Sequence, residues 1–146
     1  MSTDERNTKE LVETLEDGRK GYEQCAEKLQ DSSSPEAAAS MTRLAEQRRQ
    51  LSTELRQMAK SYGDTINESG TTTASVHRGW IALKDALTGA DPKPVLRAAV
   101  QGEEHAISEY EKALEQDLSP SLREVVVRQL GQIRSARDEV KALAER

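Results

Sequence analysis

Glu103, Glu104 and His105 stand side by side in the stretch Val95 to Leu114. Two carboxylates and an imidazole are the donor types that hold iron, manganese or zinc. The surrounding residues read as a helix whose apolar side carries Val95, Ala99, Ala106 and Ala113, and the polar run Gly102-Glu103-Glu104-His105 interrupts it halfway. Such a cluster makes a metal site only if neighbouring helices bring matching ligands. The second histidine, His77, opens a short helix, and His105 lies beside the apolar stripe and not on it. Both therefore read as surface or capping residues, and a zinc site joining them to Glu104 would draw on two separate segments. Cys25 falls on a core stripe with no basic partner on its face, the setting of a buried inert thiol and not of a nucleophile.

The elements that must position these residues are helical. The chain has 146 residues, enough for one domain with a real core. It has no Phe, one Trp, 8 Gly and 4 Pro, so the core comes from Leu, Val, Ala, Met and a few Tyr, which suits helix-on-helix packing. Charged residues make up 32% with both signs interleaved, as on exposed helix faces. A formal net charge of -5 disfavours nucleic-acid backbones and anionic membranes as partners. The single cysteine cannot form an intrachain disulfide, which points to a reducing cytoplasm. No segment reads as a signal peptide or a membrane span.

Residues 1 to about 8 are polar and are expected to fray. Leu11, Leu15, Gly18, Tyr22, Cys25 and Leu29 then mark one stripe of a long helix ending near Gln30. Ser34-Pro35 is a start signal, because Ser34 can cap and Pro35 loses nothing at the first helical position. Met41, Leu44, Arg48, Leu51, Leu55, Met58 and Tyr62 carry the second helix to Gly63. Residues 63–73 are linker-like, and a short helix follows with Val76, Trp80, Leu83 and Leu87 on one side and Gly89 closing it. Asp91-Pro92 starts the third long helix, which runs to about Gln116. Ser119-Pro120 starts the fourth, with Leu122, Val126, Gln129, Ile133, Ala136, Val140 and Leu143 as its stripe. The second helix is about 28 residues, roughly 42 Å, and the stretch from Gly63 to Asp91 is long enough to return along it. The second and third helices can then run parallel, in a bundle with one long crossover.

An internal repeat supports that layout. Shifted by about 84 positions, the first stripe falls on Val95, Ala99, Gly102, Ala106, Glu109 and Ala113. After one more inserted residue, Ser34-Pro35 falls on Ser119-Pro120. Two helical hairpins related by a pseudo-twofold axis follow.

The hairpin repeat, the long crossover and the run Gly102-Glu103-Glu104-His105 with Glu109-Tyr110-Glu111 downstream resemble the ferritin-like superfamily, and within it a group of small bacterial four-helix proteins of unknown function. The tract His77-Arg78-Gly79-Trp80-Ile81-Ala82-Leu83-Lys84-Asp85-Ala86-Leu87-Thr88-Gly89 carries the most specific likeness, and the resemblance spans nearly the whole chain. It implies an all-α, left-handed ferritin-like bundle of four long helices with a short fifth helix in the crossover. It also implies a cytoplasmic, stress-related setting, and it offers no assigned activity.

Di-iron members of that superfamily place a Glu on the first and third helices and Glu-x-x-His on the second and fourth. No Glu-x-x-His occurs in this sequence. Glu46-x-x-Arg49 is a lookalike, but Glu46 lies about 200° around the helix from its stripe neighbours and points outward. The fourth helix offers Gln129, Leu130 and Ile133 at the corresponding level, and Arg19 and Lys20 stand in the repeat where Glu103 and Glu104 stand. Arg48 occupies an interior stripe position, where an unpaired guanidinium is costly. Two readings follow: Arg48 pairs with Glu103 or Glu109 and takes over the charge-neutralising role of a metal, or it sits at the stripe's edge and snorkels to water. The interior polar set is thus Arg48, Glu103, Glu109 and Gln129. Trp80, Leu83 and Leu87 cover one end or side of the bundle, or form a partner surface if that helix is loosely docked. The pairs Arg48-Arg49 and Arg134/Arg137 read as ion-paired faces and not as a nucleic-acid site.

The function expected from these residues is that of a non-enzymatic structural or interaction domain with no cofactor, whose homo-oligomerisation is a base-rate expectation. The competing expectation is a protein that binds iron or another divalent metal at Glu103, Glu104 and His105. A third is a scaffold docking a partner through the Trp80 helix.

Overall fold

A computed structural model of the chain describes residues 2–61, 79–86 and 89–146. Within them lie α1 (Thr3–Lys28), α2 (Pro35–Ser61), the short α3 (Ile81–Asp85), α4 (Lys93–Leu114) and α5 (Pro120–Ala144). Three of the long helices begin on a serine cap. The Ser2 hydroxyl accepts from the Glu5 amide (3.1 Å), Ser34 from Ala37 (3.2 Å) and Ser119 from Leu122 (3.4 Å). Each bond satisfies one of the amides that a first turn leaves without a partner. Pro35 and Pro120 then open their helices at no cost in hydrogen bonds.

The N-terminus differs from the sequence expectation. Residues 3 to 8 are helical and not frayed, because three things tie them down. Ser2 caps them, the Asp4 carboxylate accepts from the Ser119 amide at 3.0 Å, and Asn7 and Thr8 are buried. The crossover helix is also shorter than its apolar pattern suggests. It covers five residues, stops where Ala86 turns extended (φ -67°, ψ 129°), and is preceded by Trp80 instead of containing it. Val76, His77, Leu87, Tyr62 and the linker from Gly63 lie outside the described residues. Gly89, at φ +145°, adopts a backbone conformation that side chains disfavour and turns the chain toward α4.

Two apolar clusters fix the directions of the helices. One joins Leu29 at the end of α1 to Met41 near the start of α2, Val95 and Leu96 at the start of α4, and Val140 and Leu143 at the end of α5. The other joins Leu11 and Leu15 near the start of α1 to Leu55 near the end of α2, Ala113 at the end of α4, and Leu122 and Val126 at the start of α5. Hence α1 is antiparallel to α2 and α4 to α5, while α2 and α4 run parallel, so the crossover returns along the bundle. This is the two-hairpin arrangement that the repeat implies. The hairpins meet chiefly along α1 and α4, with α2 and α5 less closely approached. Between the two clusters the core is polar.

Replacing Ser119 with Ala removes the α5 cap and should cost about 1 kcal/mol of stability, read as a lower urea midpoint at unchanged slope.

Candidate functional site

The stripe of α2 turns Met41, Leu44, Arg48, Leu51 and Leu55 inward, which carries one guanidinium into the middle of the core. From α4, Glu103 meets it. Arg48 Nη1 donates to Glu103 Oε1 at 2.5 Å and Nη2 donates to Oε2, so both carboxylate oxygens are taken by one planar fork. Arg48 is 1% exposed and Glu103 0%. The third donor, Arg48 Nε, reaches Gln47 Oε1 at 3.2 Å. Gly18 on α1 lies alongside, where a Cβ would touch Nη1 at 3.5 Å, an ordinary contact. The guanidinium carbon lies 5.3 Å from the centre of the Tyr22 ring, which meets the Trp80 ring edge-on at 5.0 Å. Burial alone would depress the Arg48 pKa. The Glu103 charge, helped by Tyr22 and Tyr110, outweighs it and leaves the guanidinium pKa above its ordinary value. Burial, and after it the Glu103 charge, pushes the Tyr22 phenol well up, so it stays neutral.

Every long helix adds to this polar layer. Glu16 of α1 is buried, accepting from Ser52 of α2 at 2.9 Å and from Arg19 at 2.9 Å. Gln129 of α5 accepts from the Tyr110 hydroxyl of α4 at 2.7 Å. Its amide nitrogen donates to the Leu51 carbonyl (3.2 Å) and to Glu54 (2.8 Å), and Arg128 also pairs with Glu54. Glu16, Ser52, Glu54 and Tyr110 are participants that the stripe pattern did not single out. A signal for Glu16 was available in Val12, an apolar residue one turn before it and outside the stripe, which marks a wider buried face on α1.

The three residues that suggested a metal site diverge, because neighbours on a helix point about 100° apart. Glu103 faces inward. Glu104 is 53% exposed and pairs with Arg137 at 2.9 Å. His105 is half-buried under Gly79, its Nε2 4.0 Å from Glu109. Among the described residues, no group of three His, Cys, Asp or Glu could hold an ion. Glu109 is not part of the interior layer. It lies six residues beyond Glu103, on a different side of α4, half-buried with Lys112 at 3.6 Å. A second correction concerns Trp80 and Leu83. They face inward and are buried, so they offer no surface to a partner, and Leu87 lies outside the described residues. Cys25 is buried. Burial, with a small addition from Glu103 and against Lys28, pushes its thiol from an ordinary 9.0 up to about 12. Glu46 points outward and pairs with Arg49, and Arg134 pairs with Glu111 at 3.0 Å.

The family described as a domain of unknown function, DUF2383, matches residues 6–116. No curated protein matches the chain. Among solved structures, a mutant of Mycobacterium smegmatis Dps1 superposes with a TM-score of 0.78 at 13% identity, covering 97% of this chain and 94% of that one. At that identity the likeness carries the fold, and the fold is ferritin-like. The chain belongs to the DUF2383 family.

Two outcomes follow from the site. Glu103→Gln should lower stability by about 3–5 kcal/mol in urea titrations, because it strands the Arg48 charge. Pairing it with Arg48→Met should restore most of that loss. The second outcome concerns pH. The folded thiol of Cys25 has a raised pKa, so its contribution is whole below 9.0 and is lost as pH rises through that value toward about 12. The urea midpoint should fall across that window, and Cys25→Ala should flatten the fall at its onset.

Proposed function

We propose that this DUF2383 chain is a non-enzymatic ferritin-like domain in which a guanidinium–carboxylate pair stands where active relatives of the fold hold metal. The observation that carries this reading is the Arg48–Glu103 contact. Both oxygens of the buried α4 carboxylate are held by a cation already attached to the protein. A metal ion at Glu103 would have to displace that cation or sit beside it, and either is unfavourable in a dry interior. The remaining layer fits a metal no better. Glu16 is held by Ser52 and Arg19, and the α5 position is an amide, Gln129, engaged with Tyr110, Leu51 and Glu54. Hydrogen bonds within the protein thus meet most of the needs of these polar groups. The competing reading, a divalent metal at Glu103, Glu104 and His105, loses support because the three side chains point in different directions.

The chain then works as a scaffold. We read it as one domain spanning its whole length, acting in the cytoplasm, where Cys25 stays reduced, and pairing with further copies of itself. Its exterior of alternating ion pairs, Arg43 with Glu139, Arg137 with Glu104 and Arg134 with Glu111, fits a water-facing protein without a nucleic-acid surface. No helix among the described residues is long and apolar enough to cross a membrane. A stress-related setting is part of the same reading and rests on the fold likeness alone.

Elemental analysis of protein purified without a tag or chelator tests it. Iron, manganese and zinc should all be far below one ion per chain. Stoichiometric metal that disappears in Glu103→Ala would overturn the reading.

A further inference from the structure

The segment that carries Trp80 and α3 is fastened to the bundle by side chains and hardly at all by backbone. The Leu83 and Ala86 amides bond within the segment, to the Trp80 carbonyl (3.0 Å) and the Leu83 carbonyl (3.2 Å). Among the described residues, its anchors to the body are few. The Trp80 ring sits between α1 and α4, where a Cβ on Gly21 or on Gly102 would come within 2.3 Å of it. The Gly79 backbone rests on His105, Leu83 enters the apolar cluster, and Lys28 Nζ donates to the Ala86 carbonyl at 3.3 Å. Ala82 and Ala86 pack against the same cluster, while Ile81 is 64% exposed and Lys84 and Asp85 are exposed. The two glycines form a slot shaped for one flat ring, and behind that ring lie Tyr22, then Arg48, then Glu103.

We propose that the Trp80 segment is a strap that leaves the α1–α4 slot while the four long helices stay folded, making the enclosed Tyr22–Arg48–Glu103 stack accessible from the side of the bundle. Among the described residues, release gives up the burial of Trp80 and Leu83, the packing of Ala82, Ala86 and Gly79, and the Lys28–Ala86 hydrogen bond. The contacts of α1 with α2 and of α4 with α5, which hold the hairpins, are left in place. Regions held by so few contacts open at lower free energy than the whole fold. The inference does not depend on the absence of a metal, because it concerns access to the layer and not its occupant.

Trp80 is the one tryptophan of the chain, so its fluorescence reports the strap alone. In a urea titration of the full chain, acrylamide quenching of Trp80 should rise several-fold at concentrations where ellipticity at 222 nm is still native. Its urea dependence should be shallower than that of the later helix loss. Quenching and ellipticity curves that superimpose would overturn the proposal. Gly102→Ala adds a second readout, since its methyl group occupies the ring's place. Red-shifted Trp80 emission with native ellipticity in buffer supports the strap, whereas unshifted emission, or a shift accompanied by helix loss, contradicts it.

Discussion

The bundle is organised around a charge pair that water does not reach. Moving a guanidinium and a carboxylate out of water costs several kcal/mol for each ion. A bidentate contact in a low-dielectric interior returns much of that cost, and it does so only at one geometry. Arg48 and Glu103 sit on α2 and α4, which belong to different hairpins. Their contact therefore fixes how far one hairpin slides along the other, a role that apolar side chains fill loosely because leucine packs against leucine at many offsets. The surrounding layer repeats this at lower charge. Glu16 with Ser52 joins α1 to α2, and Gln129 joins α5 to both α2 and α4. The apolar clusters at the two ends supply the burial, and the polar layer between them supplies the register.

The internal repeat is broken at the same level, which explains the asymmetry of the site. Gly18 and Gly102 are partners in the repeat, yet only one of them has to be a glycine. A Cβ on Gly102 would meet the Trp80 ring at 2.3 Å, whereas a Cβ on Gly18 would touch the Arg48 guanidinium at 3.5 Å, an ordinary contact. The cleared position at mid-length is filled from the crossover. Trp80, Tyr22, Arg48 and Glu103 form a continuous stack through the bundle, from ring edge to ring face to cation to anion. Each pairing is of a type that gains strength away from water.

Much of this arrangement can be read in the chain. The three-four rhythm through Arg48 places a cation inside α2, and the Ser34-Pro35 and Ser119-Pro120 signals mark two helix starts to the residue. The matched Gly18 and Gly102 mark the repeat of one hairpin in the other. The legible part is what one helix decides for itself. Pairing across helices is less so: Glu103 and Glu109 were equal candidates for Arg48, and only the rotation of α4 against α2 selects Glu103. The inward aim of Trp80 depends on glycines that lie far away in sequence, on α1 and α4. Glu16 escaped notice because α1 is buried on a wider face than one stripe, with Val12 and Asp17 inside as well as Leu11 and Leu15. Nor does polarity at the N-terminus reveal that Asp4 will bond the start of α5.

The central claim is that a protein-borne cation holds Glu103 and leaves no place for a metal. Nitrogen-15 NMR of the Arg48 guanidinium, before and after addition of Fe(II), tests it most directly. A fork locked on a buried carboxylate gives separate, slowly exchanging Nη resonances, and they should remain sharp and unmoved when Fe(II) is added. Averaged Nη signals, or broadening by Fe(II) centred on Arg48 and Glu103, would contradict the account.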